Sequence, residues 1–358
     1  MRTRDRRFLI LVACLTALAL VLTRVWWQPK LYTVTVLPTL GGDFVLPWAI
    51  NERGQVAGFA DVPKPPGTTR TKHRLFLWDR ATGMQDLGPV QNDRVAINNA
   101  GQIVATMEDP NGRERAFIWD PNHGRMLLPT LGGGTSRALA INDLGQVVGE
   151  AETPAGVRHA FLWDPVAGIQ DLMPTSTTEN RAWSVNDAGK IVVFGKGGPF
   201  LVSADDAATT QRRSIPVRGL IRISDVGEIA AATQTGSRRW EVVLWREGSG
   251  VQTLFQLEAE SVDTPFVNDV GQVVVGWRDR LQFRLFERPL FPLSHNGCLW
   301  DPRRGRISLD RYLGVGRGED FWLTDLNDQG CIVGQVAATK DSRSRGILLE
   351  PIPERWGK

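Results

Sequence analysis

Cysteine, histidine and tyrosine are all scarce, at three, four and two in 358 residues. Three cysteines do not make a disulfide framework. Cys14 lies in an apolar N-terminal run, and Cys298 and Cys331 read as small buried hydrophobes, with a disulfide between them as the alternative. The histidines (His73, His123, His159, His295) have no metal-ligand spacing, and neither a Gly-x-Ser-x-Gly elbow nor a phosphate loop is present. Asp325-Leu326-Asn327-Asp328-Gln329-Gly330 is like a calcium loop but lacks its further oxygen ligands and closing glutamate. The sequence therefore assigns no metal, no cofactor and no catalytic residue. A formal net charge of +3 is too slight to imply nucleic acid. Apolar residues do not recur at three-to-four spacing, which excludes a helical solenoid.

Long hydrophobic runs are also missing, except at the N-terminus. Arg2, Arg4, Arg6 and Arg7 precede an apolar stretch from Phe8 to Leu22, and Trp26-Trp27 follows. Counted to Trp27, the segment is long enough to cross a bilayer at about 1.5 Å per residue. Arginines before it and tryptophans after it predict a signal anchor over residues 1–30. That places the N-terminus in the cytoplasm and exports the body to the periplasmic or extracellular side. A cleaved signal after Ala17-Leu18-Ala19 and a lipoprotein signal at Cys14 are the alternatives, and both also export the body.

What is abundant is a repeat. An Asn-x-x-Gly turn, with Ser224 in place of Asn in the fifth unit, recurs with its glycine at Gly54, Gly101, Gly145, Gly189, Gly227, Gly271 and Gly330, at spacings of 47, 44, 44, 38, 44 and 59. The unit is clearest over Ala138–Leu172: strand, tight turn, strand, loop, strand, tight turn, strand. Asn and Asp bond their own backbone in such a turn and Gly accepts positive φ. A period in the low forties with four short strands predicts propeller blades. Small residues such as Ala138 and Ala140 suit the inner strand near the axis. The tryptophans Trp78, Trp119, Trp163, Trp245 and Trp300 end the third strand and suit the core between blades. Trp240, Trp277 and Trp322 are off register and are candidates for exposure.

The two ends of the repeat complement each other. Residues 31–37 read as a fourth strand without its first three, and the C-terminal unit has three strands before Pro351 and Pro353 stop it. Pairing them removes two open sheet edges. The prediction is an all-β, seven-bladed β-propeller over residues 31–350, closed by the N-terminal strand, with a short tail at 351–358. Residues 277–297 form an insertion in the sixth unit.

Phe161-Leu162-Trp163-Asp164 followed by Gly168 resembles the WD-repeat register, although the usual Gly-His pair is absent. The chain more closely resembles the HAF-repeat family of exported repeat proteins, through His159-Ala160-Phe161 and the related Arg115-Ala116-Phe117 and Arg74-Leu75-Phe76. The resemblance covers about residues 31–350. It implies an extracytoplasmic propeller and carries over no catalytic residues.

Loops joining second to third strands hold 17 basic residues against 10 acidic ones. Arg74, Arg113, Arg115, Arg158, His159, Arg238, Arg239 and Arg345 are the candidate ligand-binding residues on that face. They point to an anionic partner, an acidic polysaccharide or an envelope protein. The expected function is a membrane-tethered binding or scaffold module. The alternative is an exported carbohydrate-active enzyme, of glycoside hydrolase or lyase type, with its site at the channel mouth. Carboxylates or histidine at that mouth favour the enzyme; alanine and apolar side chains favour the scaffold.

Overall fold

The structure is a computed structural model that describes residues 30–63, 73–91, 94–204, 212–217, 221–279, 284–285, 288–289, 294–313, 319–338 and 343–356. The segment read as a signal anchor and most of the 277–297 insertion lie outside the described residues. Among the described residues no helix is long and apolar enough to cross a membrane.

Two compact units are present. Of the smaller, residues 30–33 and 351–356 are described. In it Trp356 packs edge-on to Tyr32 at 5.4 Å, and its indole N–H donates to the Leu31 carbonyl at 3.0 Å. The larger, residues 34–350, is the ring of blades. Six successive antiparallel sheets span residues 45–89, 96–127, 136–171, 181–214, 221–258 and 261–308, here blades 1 to 6. Blade 7 has the order Tyr32–Val36, Ser344–Pro351, Ile332–Ala338, Glu319–Leu326. The strand from the N-terminal side thus completes the last blade, and the Leu37 N–H extends the pairing to the Gly346 carbonyl at 2.9 Å. The seven-bladed propeller and its closure are as the sequence predicts.

The core lies between blades. Ile118 and Leu128 of blade 2 pack with Val147, Phe161 and Trp163 of blade 3. Val45, Phe76 and Trp78 of blade 1 pack with Val333 and Leu348 of blade 7. Trp78, Trp163 and Trp245 are buried, and Trp119 and Trp300 are partly so. Trp277, expected to be exposed, is buried in the core of blades 5 and 6 with the Arg306 guanidinium 4.8 Å from its ring. Cys298 is buried and Cys331 half-buried, and both are free thiols.

The repeated asparagine does more than form its turn. The Asn142 side-chain oxygen accepts from the Gln146 N–H at 2.9 Å, and Gly145 takes φ 77° to complete the hairpin. Its Nδ2 donates both to Gln146 Oε1 and to the Asn186 carbonyl of the next blade, at 2.9 and 3.0 Å. The Gln146 amide in turn reaches Asp164 Oδ2 at 3.1 Å, tying in the third-strand turn. The blade-to-blade bond recurs from Asn51 to Asn98, Asn98 to Asn142, Asn186 to Ser224, Asn268 to Asn327 and Asn327 to Asn51. Blade 5 has Ser224 instead, whose hydroxyl accepts from the Glu228 N–H within its own turn.

The inner strands are bulged before these turns. Pairing shifts between Pro47 and Ala49, Ala138 and Ala140, Ala182 and Ser184, and Leu323 and Asp325. Trp48, Leu139, Trp183 and Thr324 are left out of the ladder, and a bulge re-aims its side chain. Opposite the bulge stands a glycine in blades 1, 3 and 7 (Gly58, Gly149 and Gly334) and Val193 in blade 4; a Cβ at Gly149 would lie 1.9 Å from the Arg137 carbonyl oxygen.

Asn142→Ala removes the turn acceptor and the tie to blade 4, and should lower unfolding free energy by about 1–3 kcal/mol. Ser224→Asn supplies the missing reach toward Asn268 and should raise it by about 0.5–1.5 kcal/mol. Urea midpoints at constant m-value check both. A neutral Asn142→Ala would contradict the role given to the asparagines.

Candidate functional site

The channel through the ring has two different ends. At the hairpin-turn end, the residue after each repeated Asn contributes Glu52, Asn99, Asp143, Asp187, Asp225, Asp269 and Asp328. The Glu52, Asn99, Asp143 and Asp187 N–H groups donate to the next side chain in order: Asn99, Asp143, Asp187 and Asp225, at 2.7–2.8 Å. Val226 N–H donates to Asp269, Asp269 to Asp328, and Asp328 back to Glu52 Oε1 at 2.9 Å. The circuit closes after seven such bonds.

Six of its seven side chains are carboxylates on one rim, around a cavity of about 370 Å³. Burial raises Glu52 to about 7 and Asp225 to about 6, with neighbouring carboxylates adding to the rise. Burial also raises Asp187 and Asp328. Among the described residues no group of three or more ligating side chains is suited to a metal ion.

The other end opens on the face of the second-to-third-strand loops. A chamber of about 450 Å³ is lined there by Leu46, Trp48, Arg94, Phe266, Trp322 and Asp263, among others. Trp48 stacks on Phe59 at 5.9 Å, and the Arg278 guanidinium lies 5.3 Å from the Trp322 ring. Arg94 is buried, with its guanidinium 3.9 Å from the ring of Trp183. Blade 3 separates blades 2 and 4 around the ring, so that contact is made across the channel.

Deeper, the wall is asymmetric. Two residues before the turn Asn stand Ala49, Ala96, Ala140 and Ser184 in blades 1 to 4, but Arg222, Phe266 and Asp325 in blades 5 to 7. Arg222 lies 4.9 Å from the Phe266 ring, and burial lowers its pKa while Asp325 raises it. Burial raises Asp325 to about 6 against the pull of Arg222, the Ile50 and Leu326 N–H groups and Arg94.

The arginines chosen from the sequence are spread around the ring, and three of the seven sit beside acids. Arg74 pairs with Asp86 at 2.6 Å, and Arg158 with Glu150 and Glu179 at 3.1 and 3.6 Å. Arg238 pairs with Asp279. Arg115 donates to the Leu128 carbonyl at 2.9 Å, and buried His159 holds Asp171 Oδ2 at 2.8 Å. Arg113, Arg239 and Arg345 are exposed. Of the eight, only Arg239 lines a described cavity, a groove with Trp240 and Glu241. The structure brings together instead Arg94, Arg222, Asp325, Trp48, Trp183 and Trp322. The available signal was positional: at the inner-strand sites where other blades carry small or aliphatic residues, these are large or charged.

Site and fold together define a closed propeller whose channel is acidic at one mouth and aromatic and arginine-bearing at the other. No family model matches the chain, and no curated protein sequence matches it. Solved structures are similar in fold. The β-propeller domain of the Trilobed protease from Pyrococcus furiosus, with an open velcro topology, is 10% identical at a TM-score of 0.55, covering 90% of this chain and 96% of that one. Oligogalacturonate lyase in complex with manganese is 12% identical at 0.54, covering 90% and 92%. TolB from Acinetobacter baumannii is 15% identical at 0.44, and the match spans 83% of this chain but only 63%, under two thirds, of that one. At such identities the likeness shows the fold alone.

The raised carboxylates fix a pH dependence. Their folded pKa values lie above the unfolded range near 4, so the folded ring binds more protons between about pH 4 and 7. Stability should rise as pH falls from 8 to about 5.5, and be lost as pH climbs through the folded values. Asp120, held at about 2 chiefly by the Gln102 amide and the Asn122 N–H, acts only in strong acid. Glu52→Gln with Asp225→Asn should flatten the trend in melting temperature. A melting temperature unchanged over pH 5.5–8 in the parent protein would contradict it.

Proposed function

We propose that the chain is a membrane-tethered, extracytoplasmic binding module for an anionic envelope partner, engaged at the aromatic and arginine chamber. The observation that carries this reading is the chamber itself. Trp48, Phe266 and Trp322 give it flat apolar faces, and Arg94 and Arg278 bring positive charge to the same channel end. Aromatic faces flanked by guanidinium groups suit a ring-bearing anionic ligand. About 450 Å³ falls within the range of roughly 300–1,000 Å³ usual for small-molecule sites. The basic surplus of the surrounding loops supports long-range attraction to such a partner even where individual arginines are paired.

The N-terminal arginines, apolar run and tryptophan pair support the tether and the exported location. The repeat motifs support kinship with the HAF-repeat proteins. A carbohydrate-active enzyme is the second reading, favoured by the six carboxylates at the hairpin-turn mouth and by Asp263 and Asp325 in the channel region. A binding module is preferred because the hydrogen-bond circuit accounts for the placement of the rim carboxylates, and Asp263 and Asp325 lie among aromatic and guanidinium groups.

The full chain should retain on a polyuronate column at low salt and elute as salt rises past about 0.3 M, where surface charges are screened. A neutral glucan column should retain it far less. Trp322→Ala should weaken polyuronate binding by about tenfold, the equivalent of one stacked aromatic contact. Equal retention on both columns, or an unaffected Trp322→Ala, would count against the chamber.

A further inference from the structure

The cavity of about 370 Å³ behind the acidic rim sets one cation among many anions. Its lining includes the six rim carboxylates and Asp325, and Arg222 is the only cationic side chain among the described residues that line it. None of the six rim carboxylates forms an ion pair with a described cation. The hydrogen-bond circuit explains where these acids stand, but it does not use them up. Asp187, Asp225 and Asp269 each give it only Oδ1, which leaves the second oxygen for another donor.

The floor of the cavity has the opposite need. Arg222 Nε is buried without a partner, and no hydrogen bond joins the guanidinium to Asp325, whose charge it feels. On the adjacent blade Ser184 holds the same inner-strand position. Ser184 is 4% exposed, lines the same cavity, and its hydroxyl has no hydrogen-bond partner among the described residues. Buried donors without acceptors are costly, and a carboxylate, which only accepts, matches both the hydroxyl and the planar guanidinium fork. An anion alone is repelled by the rim, and a cation alone leaves Arg222 and Ser184 unanswered. A molecule carrying both charges, with its anion innermost, answers both ends.

We infer that this cavity is a second ligand site, for a basic amino acid: Arg222 and the Ser184 hydroxyl receive its α-carboxylate, Asp325 its α-ammonium, and the rim carboxylates of Asp187, Asp225 and Asp269 its side-chain cation. The spacing suits a long side chain. Each rim acid stands three residues beyond the floor position of its own blade, as Asp187 does from Ser184 and Asp225 from Arg222. Three residues of extended chain reach at most about 10 Å. An extended lysine with a hydrogen bond at each end bridges that span. The volume falls within the range of roughly 300–1,000 Å³ usual for small-molecule sites, and the net negative mouth draws the cation in. The site is independent of the aromatic chamber, which opens at the other end of the channel.

The test is calorimetric titration of the full chain with L-lysine, with cadaverine, which is lysine without its carboxylate, and with norleucine, which lacks the side-chain ammonium. The expected result is that lysine binds tighter than either by about tenfold or more, as for a hydrogen bond to a charged group. Arg222→Gln should bring lysine down to the level of cadaverine without weakening cadaverine, and Arg222→Lys should restore part of the difference. Asp187→Asn with Asp225→Asn keeps an acceptor oxygen at each place in the circuit, as Asn99 does in blade 2. That pair should weaken lysine by about tenfold and leave norleucine within about twofold. Lysine and cadaverine bound equally by the parent protein would overturn the role of Arg222 and Ser184. Lysine and norleucine bound equally would overturn that of the rim. No lysine binding at millimolar concentration would overturn the site and leave the chamber standing. Nα-acetyl-lysine bound as tightly as lysine would overturn the free amino acid as occupant and give the cavity to a lysine chain end.

Discussion

The structure depends on hydrogen bonds that cross from one hairpin turn to the next. A propeller blade has a modest core of its own and gains most of its burial from its neighbours, so the register between blades must be set by something directional. Here the repeated asparagine sets it. One side-chain amide closes its own turn with its oxygen and grips the following turn with its nitrogen, and a second circuit of backbone N–H groups and side-chain oxygens runs beside the first. The two circuits sit where the inner strands converge, at the smallest radius, where a small displacement of one blade would alter the most contacts.

This solution has an electrostatic cost. Placing an acceptor oxygen at the same position of every turn gathers six carboxylates on one rim, several of them partly withdrawn from water. Their pKa values rise because the fold's geometry withdraws them from water beside one another. Raised carboxylates at a channel mouth are often taken as a sign of an active site. In this molecule the hydrogen-bond circuit explains them. The chemistry unexplained by the circuit lies half-way along the channel and at the other mouth, where Arg94, Arg222 and Asp325 replace the small side chains that suffice elsewhere.

Much of the architecture was legible in the sequence because it is local and repeated. Asn142 to Gly145, the Phe-Leu-Trp-Asp strand end and the unmatched strand at residues 31–37 each carry their own signal, and seven copies average out drift. Contacts between copies were not legible. Asn142 reaches a carbonyl 44 residues away, and no pattern within one unit shows that its amide leaves the turn. Trp277 was misread because its position falls outside the repeat's aromatic site, yet packing against blade 5 buries it all the same. The basic loops were visible as a charge surplus, but counting charge does not show that Arg74, Arg158 and Arg238 each have an acid at hand. Arg94, Arg222 and Asp325 come near one another only because the ring closes, and the sequence separates every pair of them by more than a hundred residues.

The measurement that bears most directly on this account is the nitrogen-15 spectrum of tryptophan indoles in the full chain, recorded as a polyuronate oligomer is added. Trp48 and Trp322 line the chamber and Trp183 lies against its Arg94, while Trp78, Trp163 and Trp245 are buried between blades away from it. The expected result is that the first three indole signals move together and saturate, and the second three stay in place. Movement confined to Trp240 on the outer groove, or no movement at a concentration that binds, would contradict the claim that the channel chamber receives the ligand.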